Sequence, residues 1–282
     1  MASKDGGSTR LGTLSRSSSC CFASGAEIDA AADMYGGSTT LGLVATSLHT
    51  ERAGLQEALM DALIAHGARI DMPGIAGGAH PLVNACLANG RPRAATYLAS
   101  RGAPLDIEAA GGLGRIDLLA ACFDGEGRPR SSTTPEQLAS ALVAAAEQNQ
   151  QDAVRFLLDR GVPVDAQAPG STFTGANWAA LNGNVDLLEL FIARGARLDI
   201  QNDYGGAALS ASLWGAANRP RQDVYPEVVE VLIAAGATVE SGFSDWWVKQ
   251  EPRSQEAHMR ILRLLRGAEA GLTSPPAEGS PR

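Results

Sequence analysis

The stretch "LLELFIARGA", residues 187–196, decides how this chain is to be read. Its apolar residues fall at the first, second, fourth and fifth positions, which is one face of a helix. The glycine at 195 then stops the helix, because only glycine enters the left-handed cap conformation cheaply. Four more stretches align with it without a gap: "LMDALIAHGA" (59–68), "AATYLASRGA" (94–103), "AVRFLLDRGV" (153–162) and "VVEVLIAAGA" (228–237). A basic residue precedes the glycine in several copies (His66, Arg101, Arg160, Arg194), the right sign for the negative end of a helix dipole. An aspartate follows four residues after it (Asp29, Asp71, Asp106, Asp165, Asp199), which suits a turn where a short carboxylate accepts backbone N–H bonds.

The glycines of these phrases are Gly25, Gly67, Gly102, Gly161, Gly195 and Gly236, at intervals of 42, 35, 59, 34 and 41. That is a repeat near 34 residues with insertions, and periodicity of this kind is settled before chemistry is sought. A shorter helix precedes each copy. "HPLVNACLANG" (80–90), "TGANWAALNG" (174–183) and "AALSASLWG" (207–215) carry small or apolar residues at helical spacing. In "TTPEQLASALVAAAEQN", Thr134 is the expected N-cap, with Pro135 at the first helical position and Gln137 completing a capping box.

Another phrase is written twice, as "MYGGSTTLGL" (34–43) and "DYGGAALSAS" (203–212). Paired glycines near hydroxyls can cradle phosphate, but both stretches lead into a first helix. The glycines therefore serve a turn.

A turn, a small-residue helix, a second helix ending in Gly-Ala and then Asp: this resembles the ankyrin repeat. The match is closest at 174–199, which keeps Thr174, Ala179, Ala180, Gly183, Leu187, Leu188, Gly195 and Ala196. It departs at the family's Pro and His slots, which hold Gly175 and Asn177; at 80–103 the Pro-Leu survives as Pro81–Leu82. The resemblance implies an all-α ankyrin-type α-solenoid of about six helix-pair repeats over 24–268, with disordered ends at 1–23 and 269–282. One copy, "DIEAAGGLGRIDLLAACFD" (106–124), is degenerate. Insertions fall at 48–54, 125–134 and 217–225. Near the end, "EPRSQEAHMRILRLLRGA" (251–268) has an apolar stripe through Met259, Leu262 and Leu265, as a capping helix needs.

Composition narrows the chemistry. Aromatics are 5% of the 282 residues, so the core is built from Ala, Leu, Val and Ile. A net charge of −8 argues against nucleic acid, whose phosphates need a basic patch. No apolar run is long enough for a membrane span, and no signal peptide is evident, so a soluble cytoplasmic protein is expected. The four cysteines (Cys20, Cys21, Cys86, Cys122) have neither zinc spacing nor a disulfide framework, which fits a reduced compartment. His49, His66, His80 and His258 are scattered, His66 reading as a helix end and His80 as a turn residue. "GGLGRID" (111–117) lacks the third glycine of a dinucleotide loop and follows helix text. No catalytic, metal or cofactor-binding residue is nominated, and a non-enzyme is expected.

What the resemblance implies is binding, by a monomer, on the concave face made of turn tips and first-helix ends. Transferred by position, partner contacts fall to Met34, Tyr35, Phe173, Leu181, Asn182, Asp203, Tyr204 and Trp214. Trp214 has two readings: an interface anchor, or a side chain folded under the 217–225 insertion. Trp178 is expected in the core between helices, and Trp246 with Trp247 is expected to seal the end of the array. The function expected is a protein-interaction module or scaffold, with a regulatory or inhibitory (immunity-type) subunit of a specific enzyme as the alternative. A small-molecule-binding protein or enzyme is the reading from another class.

Overall fold

The computed structural model describes residues 27–32, 37–72, 81–251 and 254–273; Met34, Tyr35 and His80 lie outside them. The described residues contain helices only, apart from two isolated bridges, and the chain divides into two compact units at Leu113/Gly114.

Unit one holds α1 (Thr40–Thr46), α2 (Leu48–Arg52), α3 (Gln56–Ala65), α4 (Leu82–Ala88), α5 (Pro92–Ser100) and α6 (Ile107–Gly112). α1 packs against α3 and α4, and α4 against α5 and α6. The core between them is aliphatic: Leu41, Met60, Leu82, Val83, Ala94, Ala95 and Leu98 are at most 2% exposed. Burying each of its leucines contributes roughly 1.5–3 kcal/mol. The 48–54 insertion folds into the repeat as α2. The buried amide of Gln56 secures it, donating to the carbonyls of Val44, Ala45 and Ser47 at 2.9–3.3 Å around the C-terminal end of α1.

Unit two holds α7 (Ile116–Ala120), α8 (Pro135–Glu147), α9 (Gln151–Asp159), α10 (Gly175–Asn182), α11 (Val185–Ala193), α12 (Ala208–Asn218), α13 (Tyr225–Ala234), α14 (Phe243–Val248) and α15 (Gln255–Thr273). First helices pack on first helices (α8, α10, α12) and α11 on α13; α15 covers α13 and α14. The capping box forms at Thr134 as the sequence predicts, and Thr174 forms a second one with Asn177. Asn177 therefore has a local reason to replace the family's His: its side-chain oxygen accepts from the Thr174 N–H at 3.0 Å and hydroxyl at 2.6 Å.

Both words of Gly-Ala have a structural meaning. Gly67, Gly102, Gly161, Gly195 and Gly236 all sit at φ between +81° and +97°. The next residue donates its N–H back to the carbonyl five residues before it, at 2.9–3.2 Å (Ala68 to Leu63, Ala103 to Leu98, Val162 to Leu157, Ala196 to Phe191, Ala237 to Leu232). This is the paired C-cap in which a left-handed residue lets the chain reverse and satisfy the last carbonyls. The aspartate has a wider role than a turn. Asp29 accepts from the Arg69 N–H at 3.1 Å, and Asp165 from the Arg197 N–H at 2.9 Å. Each carboxylate thus joins one copy to the Gly-Ala corner of the next. Asp106 differs: it caps α6 through the Ala109 N–H and also accepts from the Asn84 side chain.

Two expectations need correction. The inward stripe of α15 is Ala257, His258, Ile261, Leu262 and Leu265; Met259 is 42% exposed, one position off the buried face. The 217–225 insertion is partly core. Its last residue, Tyr225, is 1% exposed and donates its hydroxyl to the Leu181 carbonyl at 2.8 Å. Burial pushes that hydroxyl up to about 12, so it remains a donor at any working pH.

Candidate functional site

Unit two carries a groove of about 980 Å³ whose lining includes Phe173, Trp178, Leu181, Asp203, Tyr204, Trp214, Arg219, Phe243 and Trp246. Six of the chain's fourteen aromatic residues stand there. The site is made by three local devices.

The first is the 202–206 turn. Asn202 accepts through its side chain from the N–H groups of Tyr204 and Gly206, and Gly205 takes φ +76°. This closes a tight loop that lifts Tyr204 into solvent, 89% exposed. The second is a relay of rings. Phe173 stacks on Trp178 with centroids 4.9 Å apart and meets Tyr204 edge-on at 6.3 Å, both favourable arrangements of ring quadrupoles.

The third is the close approach of α10 and α12. A Cβ at Gly215 would stand 2.5 Å from the Leu181 carbonyl and 2.7 Å from the Tyr225 ring, so only glycine admits this contact. Its neighbour Trp214 is turned outward by the same geometry and is 54% exposed. Trp214 is not folded beneath the insertion; that space belongs to Tyr225.

The nominated residues divide. Phe173, Leu181, Asp203, Tyr204 and Trp214 meet in the groove, with Leu181 8% exposed as part of its floor. Asn182 is not part of the lining: its amide donates to the Glu147 carbonyl at 2.8 Å, joining α10 to α8. Trp178, expected in the core, is half-buried in the groove wall, and its buried Nε1 has no hydrogen-bond partner. Trp246 and Trp247 take different roles. Trp247 is 3% exposed, stacks on His258 at 4.9 Å and donates to the His258 carbonyl at 3.0 Å, which seals the end. Trp246 is 40% exposed and faces the groove.

Helical spacing carried the missed signal. Trp178 lies three residues before Leu181, and Phe243 three before Trp246, so each pair shares a helix face. The groove's charged groups are one cation, Arg219, and one anion, Asp203. Arg219 makes no ion pair among the described residues, and its Nε is buried without a hydrogen-bond partner. Among the described residues no three His, Cys, Asp or Glu side chains gather as a metal ion would require, and no helix is long and apolar enough to cross a membrane.

The family model for ankyrin repeats (many copies) matches residues 142–192. Those residues run from within α8 into α11, and the corner they contain is the left-handed cap at Gly161 described above. Over that stretch the chain is similar to ankyrin repeats. Among solved structures it is similar to "the ankyrin repeat domain of Bcl-3: a unique member of the IkappaB protein family", at 21% identity over 92% of this chain and 95% of that one, with a TM-score of 0.35. No curated protein matches the chain.

Proposed function

We propose that this chain, similar to ankyrin repeats over 142–192, binds a partner protein through the aromatic groove of unit two, as a monomer with no chemistry of its own. The observation that carries this reading is the exposure of Tyr204 and Trp214, 89% and 54%, at the edge of a groove already lined by other rings. Large aromatic groups recover burial energy only when something covers them, and such anchors are worth roughly 2 kcal/mol or more when truncated. The histidines with defined contacts serve structure: His66 caps α3 through the Ala62 carbonyl, and His258 stacks under Trp247. The free, buried thiols of Cys86 and Cys122 suit a reducing, cytoplasmic setting.

The test is capture from native lysate on the immobilised intact chain, beside chains carrying Tyr204→Ala or Trp214→Ala. A partner held by the intact chain and lost by both variants supports the reading. Equal capture by all three would place the interface elsewhere. If the captured protein is an enzyme whose rate falls on binding, the role is inhibitory.

A further inference from the structure

The two charges of the groove stand at opposite ends of α12. Asp203 lies in the turn before the helix, and Arg219 is the residue that follows it. Neither is committed to a neighbour. Asp203 is exposed, and among the described residues its carboxylate accepts only a long bond, from the Thr172 N–H at 3.5 Å. Arg219 is half-buried and makes no ion pair among the described residues. α12 has 11 residues, so the charges are set about 16 Å apart at the helical rise.

Width decides what kind of segment lies between them. About 980 Å³ spread along that length gives a mean section of ~60 Å², or roughly 8–9 Å across. A helix with its side chains is about 10–12 Å wide, so an extended chain fits and a helix does not. At ~3.1 Å per residue, a polyproline-type chain covers 16 Å in about five steps. Against ring faces its N–H groups meet few acceptors, and an unpaired one costs free energy. Proline has no N–H and suits aromatic-lined grooves.

Charge decides the ends. A basic side chain paired with Asp203 also reaches the exposed ring of Tyr204, whose face attracts a cation. At the other end the Arg219 guanidinium offers a fork suited to a carboxylate. Trp214, less than two turns before Arg219 on α12, supplies apolar surface beside that pair.

We infer that the partner presents to this groove an extended, proline-containing segment with a basic side chain for Asp203 and, five residues away, an acidic one for Arg219. This rests on the reading of the groove as the protein-binding site, and it states the chemistry that site selects. A segment with the same charge at both ends sets one of them against its own sign, which is how such a surface rejects a wrong partner.

The test uses four synthetic peptides, each acetylated and amidated, with binding to the full chain followed by its tryptophan fluorescence. The matched peptide is Arg-Pro-Leu-Pro-Leu-Glu. Pro-Leu-Arg-Glu-Pro-Leu has the same composition with its charges side by side, and the other two carry Arg at both ends or Glu at both ends. The matched peptide is expected to bind about tenfold more tightly than any of the others. Charge reversal should then move the preference. Arg219→Glu should favour the peptide with two arginines, and Asp203→Arg the one with two glutamates, each about tenfold over the matched peptide. A switched preference can come only from a folded chain. Equal affinity of the intact chain for the matched and rearranged peptides, a comparison that needs no variant, would overturn the inference. So would preferences that both reversals leave unmoved. If no peptide binds while a captured partner is lost by Tyr204→Ala and Trp214→Ala, this inference alone falls and the proposed function stands; capture untouched by those two variants overturns both.

Discussion

Units one and two are written in the same repeat text but filled differently. In unit one the only aromatic side chain among the described residues is Tyr97, held by Asp61 and Arg101 at the surface, and the core is aliphatic. Unit two holds eleven aromatics, Phe123 to Trp247, within the same helix-pair frame. What allows this is glycine where the repeat does not otherwise need it. Gly175 occupies the proline slot, and a Cβ there would lie 2.1 Å from the Phe191 ring. The aligned positions in unit one are Pro81 and Leu98, and in the preceding copy of unit two Pro135 and Leu157. The glycine at the proline slot and the phenylalanine share one space. A repeat frame specifies helices, and aromatic in place of aliphatic residues, with glycine making room, lines part of it as a groove.

The sharpest way to break this comparison is to restore the proline. Gly175→Pro should destabilise unit two by about 3 kcal/mol, at the upper end for overpacking a core, despite bringing the copy nearer the Pro81 and Pro135 copies. Adding Phe191→Leu should recover most of the loss, and a double-mutant cycle in denaturant measures the coupling. Additive effects would mean that the two positions do not share space.

Where the units are alike, they should respond alike. Gly102 and Gly195 have φ of +89° and +81°, and a Cβ at either would meet nothing within 4 Å. Gly102→Val and Gly195→Val should therefore each cost on the order of 1–2 kcal/mol, purely from the left-handed backbone. Gly279→Val, outside the described residues, should cost nothing. Denaturant midpoints that separate the two repeat glycines by more than their error would show that the stops are not equivalent.

The smallest effect belongs to the end of unit two. Burial beneath Trp247 holds His258 below its ordinary value of 6.5. The unfolded chain then binds the proton more readily, so stability is full above pH 6.5 and declines as the pH falls through it. The thermal midpoint should drop by less than in either glycine variant, and the drop should disappear in His258→Gln. An unchanged pH profile in that variant would assign the acid sensitivity to another group.

Much of this was legible in the chain because it is local. A helix stop needs one glycine, a capping box needs Thr134 and Gln137, and the caps and turns fell where the repeat text placed them. Tyr204 and Trp214 were also readable, since their positions in the repeat leave them outside the core. The rest depended on contacts distant in sequence. Nothing near Gly175 announces Phe191, and nothing near Asp165 announces the Arg197 N–H it accepts. Tyr225, read as part of an insertion, is core only because Gly215 leaves room for it. Met259 was misplaced for a simpler reason: a helical stripe drawn through three residues fixes the face only to within one position.

The central claim is that binding lives in the aromatic content of unit two. The direct measurement is the affinity of the captured partner for three chains: intact, Trp214→Ala, and Arg93→Ala, a change at an exposed side chain of unit one. Trp214→Ala should weaken binding at least tenfold, equivalent to about 1.4 kcal/mol or more, with the thermal midpoint nearly unchanged. Arg93→Ala should alter affinity less than twofold. Full affinity in folded Trp214→Ala, or a large loss in Arg93→Ala, would contradict the account.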